Sequence, residues 1–88
     1  MAKSETGTAD FQSTITDMTS FTLSAGVDAA VVNLREGSVA GTIKFIVKCA
    51  VIQDSRHINF GEAVTSASGA WFVDLVSGTT PQMTITGH

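Results

Sequence analysis

Nucleophilic catalysis needs a hydroxyl or thiol beside a base, with a third group to orient that base. The run Asp54-Ser55-Arg56-His57 holds all three types within four positions, and His57 is the only histidine ahead of the terminal His88. Closeness in sequence does not make a triad. These residues fall where one strand ends and another begins, so His57 is read as solvent-facing or locally satisfied. Asp10, Asp17, Asp28, Glu36, Asp54, Glu62 and Asp74 each stand alone, with no D-x-D pair or calcium-loop spacing. Gly37-Ser-Val-Ala-Gly41 lacks the Gly-Lys-Ser/Thr ending of a phosphate loop. The single cysteine, Cys49, allows no intrachain disulfide and no Cys/His zinc set. Trp71 and Phe72 bring rings that can stack on a sugar, although Trp71 is in phase with Val73 and Leu75 and so also reads as core. The sequence predicts no catalytic residue, no metal ligand and no cofactor.

The elements that would position these residues are strands. In Gly41-Thr-Ile-Lys-Phe-Ile-Val-Lys-Cys-Ala-Val-Ile52, residues Ile43, Phe45, Val47, Cys49 and Val51 share one side of a period-2 ribbon, with Lys44 and Lys48 on the other. That places Cys49 as a buried, small apolar residue. Ser20–Ser24 alternates with Phe21 and Leu23 inward, and Ala29–Leu34 forms a further strand. Arg35-Glu-Gly37 turns the chain, and Gly37 and Gly41 bracket the loop into the long strand, where positive φ is often needed. Arg56–Phe60 is predicted as a strand closed by Gly61, with a short strand possible around Val64. Ala70–Val76 and Gln82–Thr86 complete the set, the last with Met83 and Ile85 inward. Turn signals at roughly 8–12-residue spacing point to an all-β fold, a small antiparallel β-sandwich or a partly open barrel.

Composition sets the class. An 88-residue chain makes one domain, and at this size only about 60–65% of the unfolded surface is buried. With disulfides and zinc absent, oligomerisation is the expected source of extra stability. The net charge is −3 and only 15% of residues are charged, so no basic patch exists for nucleic acid. Residues 1–20 contain no apolar core of a secretory signal, and no run approaches the ~18 apolar residues of a membrane span. No membrane partner is expected, and synthesis is placed in the cytoplasm.

Two features point to partners. Residues 1–17 are polar, with Phe11 and Ile15 as their large apolar members. They read as a disordered tail, as an arm across a neighbouring subunit anchored by Phe11 and Ile15, or as a first strand at 13–16. The division adopted is an extended or flexible arm over 1–17 and a β-domain over 18–88. Apolar residues also mark the second face of two strands: Ile46 lies between Lys44 and Lys48, and Phe72 and Val76 flank Asp74. A free sheet face should read polar. Phe11, Ile15, Ile46, Phe72 and Val76 are therefore the candidate subunit or partner contacts, with incidental exposure as the competing reading.

The segment Val31-Val-Asn-Leu-Arg-Glu-Gly-Ser-Val-Ala-Gly-Thr-Ile-Lys-Phe-Ile-Val-Lys48 resembles small β-domains of tailed-bacteriophage structural proteins, among them capsid decoration, head-fibre and spike-like domains. Leu34, Gly37, Gly41, Lys44 and Ile46 carry the first part of the pattern, and Gly69, Trp71, Phe72 and Val73 the second. Together they span roughly residues 28–76. The chain departs from the pattern at Gln53-Asp-Ser-Arg-His57, where relatives often carry an Asp/Gly/Thr-rich segment. It also stands nearly alone, whereas fibre modules sit in longer chains. The resemblance implies a non-enzymatic capsid decoration (cement) protein. Such a protein commonly forms a trimer, binds the major capsid protein and sits on the virion surface. The alternative it leaves open is a fibre, spike or tail domain that binds host carbohydrate.

Overall fold

The computed structural model describes residues 2–50 and 54–88. Among the described residues eight strands run in chain order: β1 Lys3–Gly7, β2 Phe11–Gln12, β3 Asp17–Ser24, β4 Ala30–Glu36, β5 Ile43–Cys49, β6 Ser55–Thr65, β7 Trp71–Ser77 and β8 Gln82–Gly87. They form two four-stranded antiparallel sheets, ordered β1-β8-β3-β6 and β2-β7-β4-β5. The fold is an all-β sandwich. Between the sheets lie Ile15, Met18, Phe21, Leu23, Val32, Leu34, Val47, Trp71, Val73, Met83 and Ile85, all buried. Phe45 tilts against Trp71 at a centroid distance of 6.0 Å and against Phe60 at 5.1 Å, within the range of about 4.5–7 Å of attractive ring pairs.

Alternation places most of this core. Phe21 and Leu23 on β3, Val32 and Leu34 on β4, and Met83 and Ile85 on β8 all face inward as the period-2 pattern requires. Bulges change the phase elsewhere. On β5, Leu34 pairs with Phe45 but Arg35 pairs with Ile43, so Lys44 is the extra residue. Ile43 thus turns to the face expected for lysine and lies exposed. Val51, predicted as the last inward residue of this strand, falls outside the described residues. On β7, Val31 pairs with Ser77 and Val32 with Leu75, which leaves Val76 as the bulged residue.

The β4–β5 turn uses its glycines in two ways. Gly37 has the expected positive φ, 86°. Gly41 is needed for space instead, because a Cβ there would lie 1.8 Å from the Glu36 carbonyl oxygen. Gly61 does not close a strand. It bulges at φ 81° and β6 continues to Thr65, absorbing the short strand expected around Val64.

The N-terminal segment differs most from expectation. Residues 3–7 pair along nearly all of β8, from Lys3 with Gly87 to Gly7 with Met83. Hydroxyl pairs Ser4–Thr86 and Thr6–Thr84, each at 2.9 Å, tie this edge. Phe11 and Gln12 pair with Val73 and Phe72. Ile15 is 0% exposed, and its carbonyl accepts from the Trp71 amide at 2.9 Å. The separate arm at 1–17 is thus replaced by two strands and a core residue of the same sandwich. Polar content misleads here because β1 is an edge strand, held by its backbone ladder and by hydroxyl pairs, and contributes no residue to the hydrophobic core.

Candidate interaction surface

The residues with chemical potential are engaged in holding the fold. The His57 ring nitrogen Nδ1 pairs with Thr22 Oγ1 at 2.7 Å, and Ser55 Oγ pairs with Ser24 Oγ at 2.8 Å. Asp54 accepts from the Ser55 amide. The three side chains of the candidate triad thus bond to β3 or to their own backbone, not to one another. The carboxylates pin loops. Asp10 accepts from the Leu75 amide, Asp28 from the Thr79 amide and hydroxyl, and Glu36 from the Ala67 amide. Asp17 accepts from the Thr65 hydroxyl. Glu5 accepts from the Thr14 hydroxyl and amide. The hydroxyl bond above all holds the Glu5 carboxyl below the usual carboxylate range; partial burial opposes it, and the Thr14 amide and the nearby Lys3 charge add smaller effects in the lowering direction. Among the described residues no group of three His, Cys, Asp or Glu side chains is placed to hold a metal ion.

Trp71 is fully buried, and its indole Nε1 donates to the Thr16 carbonyl at 3.0 Å and to the Val64 carbonyl at 3.3 Å. It presents no ring face to a sugar. Phe72 points to the outer side of its sheet yet is only 9% exposed. It is flanked in register by Arg35 on β4 and Gln12 on β2, long side chains whose stems cover apolar surface.

The five candidate contact residues therefore separate. Ile15 lies wholly inside its own chain, and Phe11 packs half-buried against the core. Ile15 is not available to a neighbour while the sandwich is intact, and Phe11 keeps only part of its surface exposed. Ile46 at 60% exposure and Val76 at 55% remain on the surface. Both belong to the β2-β7-β4-β5 sheet, on its outer side. Its middle is polar: Asn33 pairs in register with Ile46 on one side and Asp74 on the other. Arg35 Nε donates to Asp74 Oδ2 at 2.9 Å, and Arg35 Nη1 to the Gly41 carbonyl at 3.0 Å. Arg35 and Asp74 thus neutralise each other. Lys44 and Lys48, exposed on either side of Ile46, have no ion pair among the described residues.

One part of this surface was not legible beforehand. β5 and β6 are the terminal strands of their sheets on the same side of the sandwich. Between them runs a groove of about 250 Å³ lined by Ile46, Val47, Lys48, Arg56 and Ile58. Arg56 and Ile58 share the inward side of β6, opposite Leu23 and Phe21. At the sheet margin that side opens to solvent. The sequence marks Arg56 and Ile58 only as strand residues, since nothing in it tells which strands end a sheet.

The two halves of the phage-domain pattern meet at one corner. Leu34 pairs with Val73, Arg35 with Phe72 and Glu36 with Trp71, and the Gly37 amide donates to the Ala70 carbonyl at 3.0 Å. A Cβ on Gly69 would lie 4.0 Å from the Gly37 Cα. Most of the pattern residues thus build the turn and the core beneath it. Only Lys44 and Ile46 among them carry exposed side chains. No family model, no curated protein and no solved structure matches this chain.

Proposed function

We propose that this chain is a non-enzymatic binding module of the capsid decoration class, which docks on the outside of a viral shell and stabilises it by bridging capsomers. In this reading it works as a homo-oligomer, a trimer, bound to the major capsid protein at the virion surface. The observation that carries the reading is the outer side of the β7-β4-β5 strands. Ile46 and Val76 stand exposed there, Lys44 and Lys48 flank Ile46, and Arg35 and Asp74 are paired with each other. A surface of this kind binds through apolar contact and is oriented by charge. The resemblance in residues 31–48 and 69–73 supplies the viral context. Docking falls to the sheet face, because residues 3–17 belong to the sandwich and are not free to reach over a neighbour.

Quantitative mass spectrometry of purified particles tests this, with the major capsid protein as reference. The decoration role requires hundreds of copies per particle. A handful would move the chain to a fibre, spike or tail, and absence would remove the viral role.

A further inference from the structure

We infer that the free edge of β5 is a strand-addition site for an acidic, extended segment of a partner protein. The inference deepens the docking reading by naming the partner's chemistry. It rests on that reading only for the premise that the β5 side is used. β5 ends its sheet, so over residues 43–48 one row of its amides and carbonyls has no neighbouring strand among the described residues. Such an edge is a template for another strand. The space beside it is the groove toward β6, with Val47 and Ile58 as apolar floor and Lys48 and Arg56 at its sides.

Charge decides what fits. Of the five cations in the chain, Lys44, Lys48 and Arg56 border this edge, and none has an ion pair among the described residues. The rest of the molecule is acidic enough to leave a net charge of −3. A second copy of β5 is the wrong occupant. Antiparallel pairing centred on Ile46 sets each Lys44 opposite a Lys48, and parallel pairing sets lysine beside lysine; like charges directly opposite destabilise a strand pair. The complementary strand carries acidic residues four positions apart around an apolar one, so that an acid–x–apolar–x–acid row faces Lys44, Ile46 and Lys48. Its alternate residues are small and apolar and rest on Val47 and Ile58. The lysines thus guard the edge against self-pairing while selecting an acidic strand.

The test uses the ¹⁵N-labelled protein and a capped peptide, Thr-Asp-Val-Ile-Val-Glu-Thr, against the same peptide with lysine at both acidic positions. The acidic peptide is expected to shift and slow the exchange of amides in residues 43–49. It should bind at least about tenfold more tightly than the lysine peptide. The double variant K44E/K48E, altered only at exposed positions, should reverse that preference. Equal binding of the two peptides, no binding at millimolar concentration, or shifts centred on other strands would overturn the inference. So would self-association of the protein through β5. Particles that retain the chain while both peptides fail would sink the strand-addition site alone. Peptide binding by a chain absent from particles would sink the viral role alone.

Discussion

Replacing Ile15 by alanine separates a sandwich that includes its N-terminal segment from a domain with a detachable arm. Ile15 is completely buried, among Met18, Trp71 and the rest of the core cluster. Its carbonyl bond from Trp71 and its amide bond to Ser13 Oγ are backbone interactions that alanine retains. The loss is therefore one of packing, and truncating a buried isoleucine to alanine costs about 2–5 kcal/mol. A domain of this length has a total stability of about 4–13 kcal/mol, so the change removes a large share of it. The expected fall in Tm is roughly 10–25 °C. Urea unfolding followed by the fluorescence of Trp71, the sole tryptophan, reads the same loss as a lower midpoint at unchanged slope. A loss below about 0.5 kcal/mol, the scale of an ordinary surface substitution, would refute the placement of Ile15 and restore the arm.

Three further outcomes are expected. Gly41→Ala forces a Cβ onto the Glu36 carbonyl oxygen. It should cost more than about 2 kcal/mol in urea unfolding, whereas an unstrained Gly-to-Ala change is neutral or stabilising. The Glu5 carboxyl is held below its ordinary range by Thr14. Its contribution is thus full above the ordinary carboxylate pKa of the unfolded chain and is lost as pH falls through the lower folded value. Glu5→Gln should accordingly flatten the acid side of the stability profile and leave the slope above pH 6 unchanged. Cys49 is buried, so a disulfide reagent should label it at the rate of unfolding, and immediate labelling of the native protein would contradict its placement.

The sandwich was legible wherever alternation ran unbroken. Phe21, Leu23, Val32, Leu34, Met83 and Ile85 face inward as period 2 requires. The misplacements arise where one extra residue shifts the phase, as Lys44 does for Ile43, or where a left-handed glycine carries a strand onward, as Gly61 does for β6. Residues 1–17 failed for a different reason. Hydrophobicity marks strands that bury a face, while β1 is held by its ladder to β8 and by Ser and Thr hydroxyls. Ile46 and Val76 were legible as surface candidates because each breaks a polar row. Phe72 was not separable from them, since its covering by Arg35 and Gln12 depends on register. The groove at Arg56 and Ile58 depends on strand order, which short-range pattern does not encode.

The most direct test of the docking account compares particle binding by the wild type and by Ile46→Asp/Val76→Asp. Particles lacking the chain are incubated with each protein and pelleted, with equal unfolding midpoints first established in urea. Both sites are more than half exposed, so the variant should fold as the wild type does. The account predicts that it stays in the supernatant while the wild type sediments with the shell. Equal sedimentation would contradict the claim that this sheet face is what the protein binds with.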